Sequence, residues 1–291
     1  MSDARSKYLA LQRALGGNEI ILSEAAGRLG DEPEAIGREG GKEQAVGREG
    51  GRAGGEDHAS RPTAQPARRP SQPPSRPAKH WSTDAPPVPT TPGIIVPGPE
   101  AGLLATPSPW NTLEEVAVTI AACRKCFLCE GRKRTVPGEG NPKAQLMFVG
   151  EGPGQTEDET GRPFVGRAGE LLTQIIEAIE LKREDVFIAN VVKCRPPQNR
   201  KPLPDEMTAC WGYLERQIEL IEPRALVALG ATAAEAMLRV KKSLTELRGR
   251  VHSYRGIPLV VTYHPAALLR NPNWKKPTWD DIRIARQLLD R

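Results

Sequence analysis

Carboxylates, an asparagine, a histidine and a set of cysteines stand in this chain where they could do chemistry together. Gly150-Glu-Gly-Pro-Gly154 opens a loop that runs through Glu157, Asp158 and Glu159 to Gly161-Arg-Pro-Phe164 and on to Gly166-Arg-Ala-Gly169. A phosphate cradle is glycine-rich but does not normally carry so many carboxylates, so this loop suits chemistry on something neutral or cationic. A second polar loop begins at Asn190 and carries Lys193-Cys-Arg-Pro-Pro-Gln-Asn-Arg-Lys201; a third begins at His264-Pro-Ala-Ala-Leu-Leu-Arg270. Glutamates can position a water, an asparagine can make a two-pronged contact to an amide-like edge, and a histidine can meet a developing anion. Phe164 offers a stacking face, and Arg195, Arg200 and Lys201 could hold phosphates. The combination suits a nucleobase extruded from a strand.

The five cysteines are Cys123, Cys126, Cys129, Cys194 and Cys210. Cys123-Arg-Lys-Cys126 has the two-residue spacing that chelates one metal centre, and Cys194 and Cys210 add two more thiols. Four thiolates fit a structural Zn²⁺ or an iron–sulfur cluster, and spacing does not separate the two. Cys123, Cys126 and Cys129 also match the first three positions of a ferredoxin-like run, so on spacing alone Cys129 could replace Cys194 or Cys210. Placed in the opening turn of a helix starting near Pro204, the Cys210 thiolate would be favoured by the helix N-terminus.

These loops need elements to hold them. Leu146-Met-Phe-Val149 is an apolar run that reads as a buried strand, and 170–179 has apolar residues at helical spacing. Further strands fall at 186–190, 225–229 and 259–263. Helices are expected at 113–122, with Asn111 or Thr112 as N-cap, and at 167–180, 204–221, 232–240 and 278–289. Strands alternating with helices predict an α/β fold, three-layer α/β/α around a central four-stranded parallel sheet. In such sheets ligands bind at the carboxyl ends of the strands, where all three polar loops begin.

Ahead of this domain, expected at 110–291, composition changes. Apolar residues make up 38% of the chain, below the usual 45–50% or so, and the deficit is concentrated at the front. Residues 1–30 hold a short amphipathic helix around Tyr8–Leu15 that could dock a protein partner. Residues 31–109, with a repeated Gly-Arg-Glu-Gly-Gly unit and half of the chain's 28 prolines between Pro62 and Pro109, read as a disordered linker. The first 109 residues carry as many acidic as basic side chains, so the net charge of +5 belongs to the domain. That excess permits an anionic partner without requiring one. No run reaches the roughly 18 apolar residues of a membrane span, and the N-terminus lacks a secretory core. A cytoplasmic protein with reduced cysteines is expected.

The Gly150–Gly154 and Gly161–Leu172 segments, Asn190–Arg200 and His264–Arg270 together resemble the type-4 (family 4) uracil-DNA glycosylases, over roughly residues 111–290. The resemblance implies a monomeric DNA-repair hydrolase that cleaves the N-glycosidic bond of uracil in single- or double-stranded DNA and leaves an abasic site. It implies a [4Fe–4S] cluster on Cys123, Cys126, Cys194 and Cys210, with Cys129 a bystander. Gly150, Glu151, Gly152, Phe164, Asn190 and His264 would bind uracil, and Glu157, Asn199 and His264 would be catalytic. Two rival readings are a metal-dependent phosphoesterase with Mg²⁺ on Glu157, Asp158 and Glu159, and a non-enzymatic iron–sulfur or zinc DNA-binding protein.

Overall fold

The computed structural model describes residues 81–98 and 108–291. The expected docking helix before residue 30 and the repeated Gly-Arg-Glu unit lie outside the described residues. In chain order the elements are β1 (Pro92–Val96), α1 (Leu113–Ala122), α2 (Leu128–Gly131), β2 (Glu139–Gly140), β3 (Leu146–Gly150) and α3 (Gln155–Thr160). There follow α4 (Arg167–Ala178), β4 (Phe187–Asn190), α5 (Pro204–Ile221), β5 (Ala225–Leu229), α6 (Ala231–Leu238) and α7 (Leu244–Leu247). The chain closes with β6 (Val251–Tyr254), β7 (Ile257–Thr262), α8 (Pro265–Arg270) and α9 (Lys275–Gln287).

The sheet has seven strands in the order β1-β6-β7-β5-β3-β4-β2. Its centre, β7-β5-β3-β4, is the expected parallel foursome. The flanks were not anticipated: β6 and β2 run antiparallel to their neighbours, and β1 lies parallel to β6. Alternation along each inner strand divides the core in two. Met147, Val149, Ala189, Leu226 and Val261 face one layer with Val116, Ile120 and Leu214 of α1 and α5. Leu146, Phe148, Ile188, Val227 and Val260 face the other, with Leu172 and Ile176 of α4 and Ile282 of α9. A strand buried on both faces must be apolar throughout, which is why these four were legible as runs.

The helix ends follow local chemistry. Thr112 Oγ1 accepts the Glu115 N–H at 3.2 Å to start α1, and α5 begins at Pro204 with the Glu206 carboxylate taking the Leu203 N–H at 2.7 Å. One expectation fails outright. Residues 81–98, assigned to the linker, pack on the domain. Trp81 is buried in the second core layer, Arg283 donates to the Asp84 carbonyl at 2.8 Å and Gln287 to that of Pro86 at 2.9 Å. The prolines of this stretch allow extended backbone, and Pro92–Val96 uses it to extend the sheet. The folded unit thus takes in 81–98, ahead of the expected start at 110.

Candidate active site and cysteine cavity

Register places the site. Gly150 pairs with Asn190 across β3 and β4, and Leu229 with Thr262 across β5 and β7, so the inner strands end on one rim. Above that rim lies a cleft of about 420 Å³ lined by Glu151, Gly152, Glu157, Phe164, Asn190, Asn199 and His264, among others. Three loops far apart in sequence therefore meet there. Gly150 sits just beneath: a Cβ on it would come within 2.4 Å of Asn190 Oδ1 and 2.6 Å of the Phe164 ring. Sequence reasoning missed Gly230 and Arg270, which also line the cleft. Gly230 directly follows β5, so the strand-end rule would have found it.

Asn190 ends β4 and is buried, and its side-chain Oδ1 has no hydrogen-bond partner. An orphaned buried acceptor is costly unless something supplies a donor. Phe164, beside it, adopts a left-handed backbone (φ 50°), and its ring centroid lies 5.5 Å from that of His264. The Phe164 turn is held from several sides. Glu157 Oε1 accepts the N–H groups of Val165 at 2.9 Å and Gly166 at 3.0 Å, and Arg183 donates to the Pro163 carbonyl. Glu157 is thus engaged in shaping the turn.

His264 caps α8, its Nδ1 accepting the Ala266 N–H at 3.1 Å. That bond requires an unprotonated Nδ1 and leaves the proton on Nε2. Burial, aided by the Arg270 charge and opposed by Glu157, pushes the imidazole pKa down to about 4. The ring is a neutral N–H donor at working pH. We expect no inflection near the ordinary histidine value of about 6.5 in a pH profile of the chemical step. Linkage has the same origin: the unfolded chain takes up a proton here near 6.5 and the folded one only near 4. The stability conferred by the neutral ring is complete above 6.5 and lost as pH falls through that window. His264→Asn should therefore flatten the slope of stability against pH between 6.5 and 4, measured by denaturant titration.

The three consecutive acids diverge. While Glu157 faces the Phe164 turn, buried Asp158 accepts the Lys133 N–H at 2.9 Å and Glu159 pairs with Lys133 Nζ at 3.0 Å. Successive residues of α3 point about 100° apart, so they do not share an ion. Among the described residues no three His, Cys, Asp or Glu side chains are placed to hold one metal ion. The basic loop is also committed internally. Arg200 bonds the Glu206 carboxylate at 2.8 and 2.6 Å, Lys201 Nζ lies 2.7 Å from Glu235, and Arg195 Nε donates to Asn199 Oδ1 at 2.7 Å.

Behind the rim, Cys123, Cys126, Cys194 and Cys210 line a second, smaller cavity together with Arg132, Lys193 and Tyr213. Cys129 lines it too. All five thiols are free. Arg132 Nη1 is 3.2 Å from Cys194 Sγ, and the Lys193 backbone N–H points at Cys210 Sγ at 3.3 Å. Cys210 departs from expectation. It lies in the second turn of α5, buried, and desolvation raises its pKa to about 11 against the pull of Lys193.

No helix among the described residues is long and apolar enough to cross a membrane. Residues 137–283 match the family described as the Uracil DNA glycosylase superfamily. A type-4 uracil-DNA glycosylase of Sulfurisphaera tokodaii is 48% identical over 187 residues, 61% of this chain and 85% of that protein. One of Thermotoga maritima is 46% identical over 62% of this chain and 95% of the relative. A type-5 uracil-DNA glycosylase of Thermus thermophilus matches at 32% over 52% of this chain and 85% of its own length. The strand-end cleft and this kinship agree: the chain belongs to the uracil-DNA glycosylase superfamily, on its type-4 branch.

Proposed function

We propose that the protein excises uracil from DNA, hydrolysing the N1–C1′ bond of deoxyuridine and leaving an abasic site. The observation that carries this is the orphaned Asn190 Oδ1 beside the Phe164 ring. Uracil presents an N3–H donor flanked by two carbonyl acceptors. Asn190 accepts from N3–H and donates to O4; cytosine, with an amino group at position 4 and no proton on N3, mismatches both. Phe164 stacks on the base, and the neutral His264 donates through Nε2 to O2 as uracil departs with negative charge. A preorganised donor of this kind is typically worth about 10²–10³ in rate. Unstacking the base costs a few kcal/mol, so unpaired or mispaired uracil is the easier substrate. Glu157 keeps the Phe164 turn in place, and Asn199, which lines the cleft and accepts from Arg195 Nε, steers the attacking water in this reading.

The cysteine cavity suits a [4Fe–4S] cluster held by Cys123, Cys126, Cys194 and Cys210. The donor set is all thiol, the Arg132 guanidinium meets Cys194 Sγ at 3.2 Å and the Lys193 backbone N–H meets Cys210 Sγ at 3.3 Å. A bound cluster supplies a structural tie between α1, the 194 loop and α5. Cys194→Ala should then give colourless protein of low iron and sulfide content; a variant keeping the full iron–sulfur absorption would shift that ligand to Cys129.

The deciding experiment uses the full chain with single- and double-stranded oligonucleotides carrying one uracil, followed by alkaline strand cleavage. We expect cleavage at uracil, none at cytosine or thymine, and persistence in excess chelator of divalent ions. A product that appears only with added Mg²⁺, or no product, overturns the reading.

A further inference from the structure

Lys193 is the most unusual charged group in the domain. Only 1% exposed, it sits among Val191, Val192 and Cys194, all buried. Its ammonium donates to the Asn190 backbone carbonyl at 2.8 Å and to Gln217 Oε1 at 2.7 Å. Gln217 is buried as well and passes the connection on, Nε2 donating to the Pro137 carbonyl at 2.7 Å. Both acceptors of the ammonium are neutral. A buried cation with no carboxylate beside it is costly unless some other negative charge compensates. Lys193 also lines the cysteine cavity, where its backbone N–H points at Cys210 Sγ at 3.3 Å. One residue therefore touches both the wall of the cysteine cavity and the residue that reads the base.

The position of that contact matters. Asn190 is the last residue of β4, and the Val191 and Val192 N–H groups after it still donate to the Gly150 and Glu151 carbonyls at 2.9 and 3.1 Å. The Asn190 carbonyl itself is held by the lysine ammonium. Fixing that peptide sets the direction in which the Asn190 side chain leaves the backbone, and a shift of about 1 Å in a positioning group can cost about 10²-fold in rate.

We propose that Lys193 is a positioning residue for base recognition, its ammonium clamping Asn190 from behind and acting as counter-charge to the sulfur cavity that its backbone N–H meets, so that filling the cavity and reading the base are coupled through one residue. This rests on the uracil-excision reading of the cleft. An all-thiolate cluster carries net negative charge and would compensate the ammonium; conversely, removing the ammonium would loosen the cluster.

The test is made on the full-length, iron-loaded protein. In Lys193→Met we expect the single-turnover rate of uracil excision to fall at least tenfold, affinity for an otherwise identical uracil-free duplex to stay within twofold, and the iron–sulfur absorption to bleach faster under chelator. A double-mutant cycle separates positioning from general damage. Lys193→Met added to Asn190→Ala should cost little more than Asn190→Ala alone, whereas a lysine that merely supports the fold would add its full penalty. Gln217 gives a second route should Lys193→Met not fold. Gln217→Leu, which removes the ammonium's second acceptor, should lose threefold or more in rate and speed the bleaching. Lys193→Met, or failing it Gln217→Leu, with a parent-like rate and parent-like bleaching overturns the proposal. Wild-type protein that releases no uracil would sink the reading of the cleft instead, so the two failures are distinct.

Discussion

Asn190→Ala is expected to lower the single-turnover rate of uracil excision by at least about a hundredfold, or about 2.7 kcal/mol. The loss combines two effects. The base would present N3–H and O4 to an apolar space, leaving polar groups unpaired inside a closed site. Orientation over the Phe164 ring would also lose its fixed point. Because a site built to hydrogen-bond a substrate edge rejects analogues that lack it by large factors, discrimination against cytosine should weaken as well. Folding should be little affected, since Oδ1 is unsatisfied before substrate arrives. A rate within threefold of wild type in a gel cleavage assay would remove Asn190 from the reaction.

Gly169→Ala should damage both stability and rate although the residue makes no contact with the cleft's contents. A Cβ at position 169 would lie 1.9 Å from the Phe164 carbonyl oxygen and 2.8 Å from its Cα. The turn cannot simply retreat: its next two N–H groups are bound to Glu157, and Arg183 holds the Pro163 carbonyl. Forcing a methyl into such a contact typically costs about 1–3 kcal/mol. The ring would be displaced from the base, for an expected rate loss on the order of tenfold to a hundredfold. Gly212→Ala is the control. It lies in α5 with nothing within 4 Å of its added Cβ, and alanine there should stabilise by about 0.5–1 kcal/mol. Denaturant midpoints and single-turnover rates that fail to separate the two variants would show that the Phe164 turn is not tightly held.

What could be read from the chain alone follows from what burial does to sequence. The four inner strands are covered on both faces and so must be apolar runs, and α4 announces itself through Leu171, Leu172, Ile175 and Ile176. Because ligands gather at the carboxyl ends of parallel strands, the polar loops after β3, β4 and β7 could be assembled into one site before any coordinates. The flanking strands could not. β2 is two residues long and exists only through its pairing with β4, and β1 lies in a proline-rich stretch whose composition suits a tether. Side-chain direction was equally hidden. Glu157, Asp158 and Glu159 look like a cluster in sequence and separate on a helix, and Lys193 looks like loop charge yet turns inward with its apolar neighbours.

The placement of β1 bears on where the protein can be cut. β1 pairs with β6, Val96 O takes the Arg255 N–H at 2.7 Å and Ile94 N donates to the His252 ring Nδ1 at 2.9 Å, so β1 covers the outer side of β6. A version begun at residue 110, the boundary composition suggests, would leave β6 as a bare terminal strand and remove Trp81 from the second core layer. Unsatisfied strand borders recruit other molecules, so such a trimmed protein would tend to self-associate while its catalytic rim stayed intact.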